Sequence, residues 1–242
     1  MLRARRPSLL FALAALLFAL PLALHARAQR VSFRTDDGVT IAATWYEPSS
    51  RPAPAVILIH MLQRSRRDWD DVGSRLAAAG IGALALDLRG HGESSSTVPS
   101  AEAPDYSIML QDIRAARRFI AGRSDVQPSR VGIAGGSLGA NLAALAAAAD
   151  GGIASVALLS PSLEYRGLRI EAAVRKYGNR PMLLVVSDDD PYAKRSALDL
   201  QRAGGGPREL LTLVGAGHGT NMLGRAYELP QALIDWFRRT LQ

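Results

Sequence analysis

The sequence predicts an α/β fold: a mostly parallel sheet of about eight strands with helices on both faces, an antiparallel N-terminal hairpin and no large lid. Three observations predict it. Short, continuously apolar runs such as Val56-Ile57-Leu58-Ile59 suit strands buried on both faces. They alternate with stretches of helical spacing, and Gly or Pro punctuates most of the joints. In order, Val31 to Thr35 and Val39 to Tyr46 alternate apolar and polar residues around Asp36-Asp37-Gly38, the chemistry of a hairpin turn. Ala55 to His60 is the first central strand; Trp69, Val72 and Leu76 mark a helix over Asp68 to Ala79, and Ile81 to Leu86 is again a strand. Helix Asp105 to Ala121, strand Arg130 to Ala134, helix Ser137 to Ala149 and strand Ile153 to Leu159 follow. A short helix at Ile170 to Lys176, strand Met182 to Val186, helix Tyr192 to Ala203, strand Glu209 to Val214 and helix Pro230 to Leu241 complete the alternation.

Residues 1–28 stand apart. Arg3, Arg5 and Arg6 precede the apolar run Leu9 to Leu24, and Ala26-Arg27-Ala28 offers a small-residue cleavage site, the three parts of a signal peptide. The expectation is a cleaved leader, a single domain over 29–242, a periplasmic or secreted protein, and no stable membrane span after cleavage. The leader also inflates the net charge of +7: without its four arginines, 25 basic groups face 22 acidic ones, a net of +3. No basic block is interleaved with aromatics, so the footprint of a nucleic-acid binder is missing. The densest basic cluster, Arg64, Arg66 and Arg67, reads as a solvated loop. The chain has no cysteine, which excludes disulfides, a thiol nucleophile and thiolate metal sites.

Chemistry concentrates in three places. Gly135-Gly136-Ser137-Leu138-Gly139 joins a strand to a helix, the setting in which a serine is exposed on a sharp, strained turn. A serine hydroxyl needs a base, and the base needs an acid to orient it. His218, in Gly215-Ala216-Gly217-His218-Gly219, follows the last strand, at the carboxyl edge where open α/β sheets place their sites. The acid is expected after the preceding strand, in Ser187-Asp188-Asp189-Asp190-Pro191. Asp190 is chosen because Pro191 and the next helix fix its backbone; Asp188 and Asp189 are assigned to turn or capping roles. No second carboxylate or histidine cluster joins the three, so neither a metal nor another cofactor is expected. Two backbone N–H groups would receive the oxyanion, that of Leu138 at the helix start and, in preference to Met61, that of Leu62. Met61, Leu62, Tyr192, Asn221 and Met222 are the expected pocket lining.

At these residues the sequence resembles the α/β-hydrolase family over essentially the whole chain after the leader. His60-x-x, Asp87-Leu88-Arg89-Gly90-His91-Gly92-Glu93-Ser94, the Gly-x-Ser-x-Gly elbow and the late Asp and His match in order. Within the family it resembles small, lidless members related to dienelactone hydrolases. It departs from them in carrying Ser137 where they use cysteine, and His60-Met61 where His-Gly is usual. The resemblance implies that the Asp87 to Ser94 stretch is a structural turn, with His91 a packing residue. It also implies hydrolysis of small-molecule carboxylic esters through an acyl-enzyme in an open site. The segment Ser160 to Arg180 has room for one short helix and little else. A peptidase or amidase, a thioesterase or a perhydrolase would need the same three residues. A noncatalytic binding module on this scaffold would be expected to have lost one of them. Oligomeric state is not legible in the sequence.

Overall fold

The computed structural model describes residues 27–95 and 105–241. The expected leader, apart from Arg27 and Ala28, lies outside them. The strands are β1 (Ala28–Arg34), β2 (Thr40–Tyr46), β3 (Ala53–Ile59), β4 (Gly82–Leu86), β5 (Val126–Gly136), β6 (Ile153–Leu159), β7 (Glu164–Tyr165), β8 (Leu168–Arg169), β9 (Met182–Ser187) and β10 (Arg208–Leu213). Eight form one sheet in the order β1-β2-β4-β3-β5-β6-β9-β10. β1 and β2 pair antiparallel, β2 joins β4 antiparallel, and every later pairing is parallel. The expected sheet and its starting hairpin are both present.

Period-two side-chain alternation divides the core into two layers. In β3, Ala55, Ile57 and Ile59 enter the layer beneath α2 (Leu110–Ala121), α3 (Leu138–Ala149), α4 (Glu171–Tyr177) and α5 (Pro191–Ala203). Val56 and Leu58 enter the opposite layer, with Trp69, then Val72 and Leu76 of α1 (Asp70–Ala78), and Trp236 and Phe237 of α7 (Glu228–Thr240). A strand wedged between two apolar layers has no wet face, which is why its sequence runs apolar without interruption.

The turn after β4 is held by buried charge. Asp87 accepts the N–H groups of Arg66 (2.7 Å) and Glu93 (2.9 Å) and pairs with the Arg66 guanidinium, which also reaches Glu93 at 2.9 Å. Arg66 is 4% exposed, so this member of the expected solvated cluster is instead a buried tie; its partner Asp87 lies 21 positions away in sequence. Arg89 and Asp112 are both fully buried and meet through Nε and Oδ1 at 2.8 Å, with Asp37 closing the guanidinium at 2.6 Å. Gly92 has φ +54°, and a Cβ there would stand 2.1 Å from Asp87 Oδ2, so only glycine fits. The stretch is the structural turn expected of it, and His91 packs its ring 5.1 Å from that of His60.

Two elements escaped the sequence reading. Besides the expected helix α4, the segment after β6 carries the β7–β8 hairpin, anchored on α3 by Asn141, whose amide donates to the carbonyls of Ser162 (3.0 Å) and Leu168 (2.9 Å) and accepts from Ser162 N–H (3.1 Å). Beyond His218 the chain turns through Gly219–Asn221 into the short helix α6 (Met222–Arg225). No large lid covers the sheet's carboxyl edge among the described residues.

Candidate active site

Ser137 sits between β5 and α3 with φ +51° and ψ −115°, a conformation that non-glycine residues rarely adopt. Its neighbours explain how the turn can be so tight. A Cβ on Gly135 would stand 2.1 Å from Gly139 O; one on Gly139 would stand 2.5 Å from His60 O and 2.7 Å from Ile59 O. The first turn of α3 is therefore pressed onto the end of β3, bringing Leu138 beside the His60 to Leu62 segment. A Cβ on Gly136 would meet Thr220 Cγ2 at 2.8 Å, so the chain just after His218 rests on the elbow.

The three expected side chains form one hydrogen-bonded chain. His218 Nδ1 lies 2.6 Å from Asp190 Oδ2, and His218 Nε2 lies 2.8 Å from Ser137 Oγ. A carboxylate only accepts, so Nδ1 carries the proton and Nε2 is left to accept from the serine hydroxyl. The His218 side chain is 45% exposed and that of Asp190 15%, so the site opens to solvent on the histidine side.

The assignment of the three aspartates needs one correction. Asp190 both faces the ring and caps α5, accepting Ala193 N–H at 3.2 Å through its other oxygen. Asp188 and Asp189 lie in the turn after β9, as expected, but cap nothing; they accept the N–H groups of Gly215 (2.8 Å) and Gly217 (3.0 Å) in the histidine loop. The Ser187 hydroxyl and the Gly217 N–H hold the Asp189 carboxyl below the usual range. Ser187 Oγ accepts Ala216 N–H at 2.8 Å, and Ser160 Oγ accepts Gly219 N–H at 2.9 Å. The sequence reading missed both serines. The only available signal was a polar residue at the carboxyl end of an apolar strand, and its partners could not be known before the fold.

His60 organises the other wall. It is fully buried, and burial pulls its pKa down from 6.5 to about 4, so the ring is neutral at pH 7. Its Nε2 accepts Leu88 N–H at 3.0 Å, which leaves the proton on Nδ1, donated to Met61 O at 2.7 Å. Met61 O also accepts Arg64 N–H at 3.2 Å across a turn in which Gln63 has φ +62°. In a trans peptide the following N–H points opposite to the carbonyl. The twice-held Met61 carbonyl therefore fixes the direction of the Leu62 N–H, while Leu138, first in α3, has an N–H with no partner inside the helix.

The pocket residues divide. Met61 is at the site: a Cβ on Gly219 would stand 2.8 Å from its sulfur and 3.3 Å from Ser137 Cβ. Leu62 is half-buried beside it, against the core. Tyr192 is exposed, its hydroxyl donating to Glu164 O at 3.3 Å over the β7–β8 hairpin. Asn221 lines a neighbouring cleft of about 630 Å³ with Arg64, Asp68, Thr220 and Arg225, and neither Ser137 nor His218 borders that cleft. Met222 is not a lining residue. It is 0% exposed and packed in the core layer of α1 and α7, because the helical turn after His218 points it inward. No group of three or more metal-ligating side chains occurs among the described residues.

The chain is similar to known proteins in sequence and in fold. The chain shares 31% identity over 115 residues with an uncharacterised protein of Mycobacterium tuberculosis, covering 47% of this chain and 38% of that protein. It thus spans well under half the length of this curated relative. Among solved structures, dienelactone hydrolase from Anabaena variabilis superposes with a TM-score of 0.74 at 19% identity, over 90% of this chain and 100% of that one. Est1E from Butyrivibrio proteoclasticus, solved with ferulic acid bound, does so with a TM-score of 0.74 at 20% identity, over 87% and 99%. Likeness at that identity speaks for the fold alone. The family model described as serine aminopeptidase, S33, matches residues 50–180, which include the Ser137 elbow and stop short of Asp190 and His218. With more than half of its length so matched, the chain belongs to this family of α/β hydrolases.

Proposed function

We propose that this hydrolase is an exported serine esterase that cleaves carboxylic esters with short or accessible acyl groups. The observation that carries the reading is the hydrogen-bonded chain Ser137–His218–Asp190, with distances of 2.8 and 2.6 Å. In the proposed reaction His218 Nε2 takes the Ser137 proton as Oγ attacks the ester carbonyl. Asp190 stabilises the imidazolium, and the N–H groups of Leu138 and Leu62 receive the oxyanion. The imidazolium then protonates the departing alcohol. Water activated by the same nitrogen hydrolyses the acyl-enzyme and frees Ser137. The half-exposed histidine and the lack of a large lid among the described residues support substrates that need no deep tunnel.

The family description favours a second reading, cleavage of aminoacyl amides. Such an enzyme needs an acid to hold the substrate's ammonium group. Asp188, Asp189 and Asp190 hold Gly215, Gly217 and His218, so none of these three is set aside for an ammonium, which supports the ester. A fluorophosphonate probe should label Ser137, and Ser137→Ala should abolish both labelling and turnover of p-nitrophenyl acetate. Turnover persisting in that variant would refute the mechanism. Faster cleavage of aminoacyl p-nitroanilides than of acetate would transfer the assignment to the peptidase. Export predicts a mature chain that has lost residues 1–28, which the intact mass of the periplasmic or secreted protein would test.

A further inference from the structure

The loop that carries His218 cannot hold itself. Gly215, Gly217 and Gly219 have φ of +58°, +80° and +59°, and glycines in such positions contribute no side chain to pack. Of the residues from Gly215 to His218, only Ala216 is buried. Four of the five N–H groups from Gly215 to Gly219 nonetheless have acceptors, and each acceptor is a side chain from another strand end: Asp188, Ser187, Asp189 and Ser160.

The order of these contacts follows the sheet. Leaving β10, the loop first crosses the end of β9, where Ser187 to Asp190 receive residues 215–218. It next crosses the end of β6, where Ser160 receives Gly219, and it comes to rest on β5, where Thr220 meets Gly136. Ser160 itself is fully buried and has φ +49°, a strained backbone at the point where its hydroxyl is needed.

We propose that Ser160, Ser187, Asp188 and Asp189 are positioning residues: a row of side-chain acceptors laid across two strand ends that sets the height and reach of the histidine loop, and so the His218 to Ser137 distance. The acidity of Asp188 and Asp189 is incidental to this work, because what the loop requires is an oxygen at each position. This rests on the proposed serine mechanism and adds to it. A shift of the ring of about 1 Å is enough to cost on the order of 100-fold in rate.

The test compares alanine with the isosteric amide. Asp189→Ala and the double variant Asp188→Ala/Asp189→Ala should lower kcat on p-nitrophenyl acetate by about 10-fold to 100-fold with KM little changed. Asp189→Asn should restore most of the rate, since its amide oxygen accepts the same Gly217 N–H. Both aspartates are exposed, so the variants should unfold at the temperature of the parent and still react with fluorophosphonate at Ser137, more slowly. A double alanine variant with kcat within twofold of the parent would overturn the proposal. So would an Asp189→Asn variant as slow as Asp189→Ala, which would show that the charge matters and not the acceptor. Either result with Ser137→Ala inactive would leave the serine mechanism standing, whereas turnover by Ser137→Ala would remove the mechanism itself.

Discussion

Gly135→Ala is the sharpest test of how the elbow is built. The added methyl would stand 2.1 Å from Gly139 O, 2.3 Å from Gly139 C and 2.8 Å from Ala140 N, all backbone atoms of the first turn of α3. Ordinary van der Waals contact for such a carbon begins at 3.4 Å, so strand and helix must part by roughly 1 Å. No flexible side chain is there to yield. Overpacking of this kind costs about 1–3 kcal/mol, and a displacement of about 1 Å at the reacting atoms costs on the order of 100-fold in rate. Urea unfolding should thus show a loss of about 2 kcal/mol, and p-nitrophenyl acetate kinetics should show the larger effect in kcat. Gly151→Ala is the matched control, because nothing lies within 4 Å of its added carbon and its φ is ordinary. Gly135→Ala with parental stability and kcat would refute the claim that close approach demands glycine here.

Asp112→Ala should destabilise the fold by about 3–5 kcal/mol, because it leaves the buried Arg89 guanidinium with only the half-exposed Asp37. A urea-unfolding loss under 1 kcal/mol would contradict the assigned role of that pair. His60 predicts acid sensitivity. With 6.5 as the ordinary value and about 4 in the fold, the unfolded chain binds a proton in this window that the native chain refuses. Stability should therefore fall as pH drops from about 6.5 to about 4, and this group's share should reach about 3 kcal/mol and then level off. His60→Gln should lack that share when unfolding free energies at pH 7 and pH 4.5 are compared; an unchanged pH dependence would count against the burial account.

Much of this was legible before the fold. The apolar runs of β3, β5, β6 and β9 announce buried strands, and the glycines around Ser137 announce a turn that admits no side chain. Asp190 was separable from its neighbours because Pro191 places it at the start of α5. The rest depends on contacts distant in sequence. Arg66 resembles a surface arginine until Asp87 is brought beneath it. Met222 follows His218 closely enough to suggest the pocket, yet α6 turns it into the core. The two-residue strands β7 and β8 are too short to carry any periodicity, and the worth of Ser160 depends on Gly219, 59 residues later.

The strand order also makes the histidine loop a span of fixed length. Three inter-strand steps separate β10 from β5, a lateral distance of about 14 Å at ~4.8 Å per step. The chain from Leu213 to Thr220, the residue that rests on β5, could reach about 23–25 Å if drawn straight. The turns at Gly215, Gly217 and Gly219 take up the surplus. Removing or adding one residue would move the loop's N–H groups off their acceptors, and with them the imidazole off the serine. A change in the loop's length should therefore be as damaging as a side chain at its left-handed glycines.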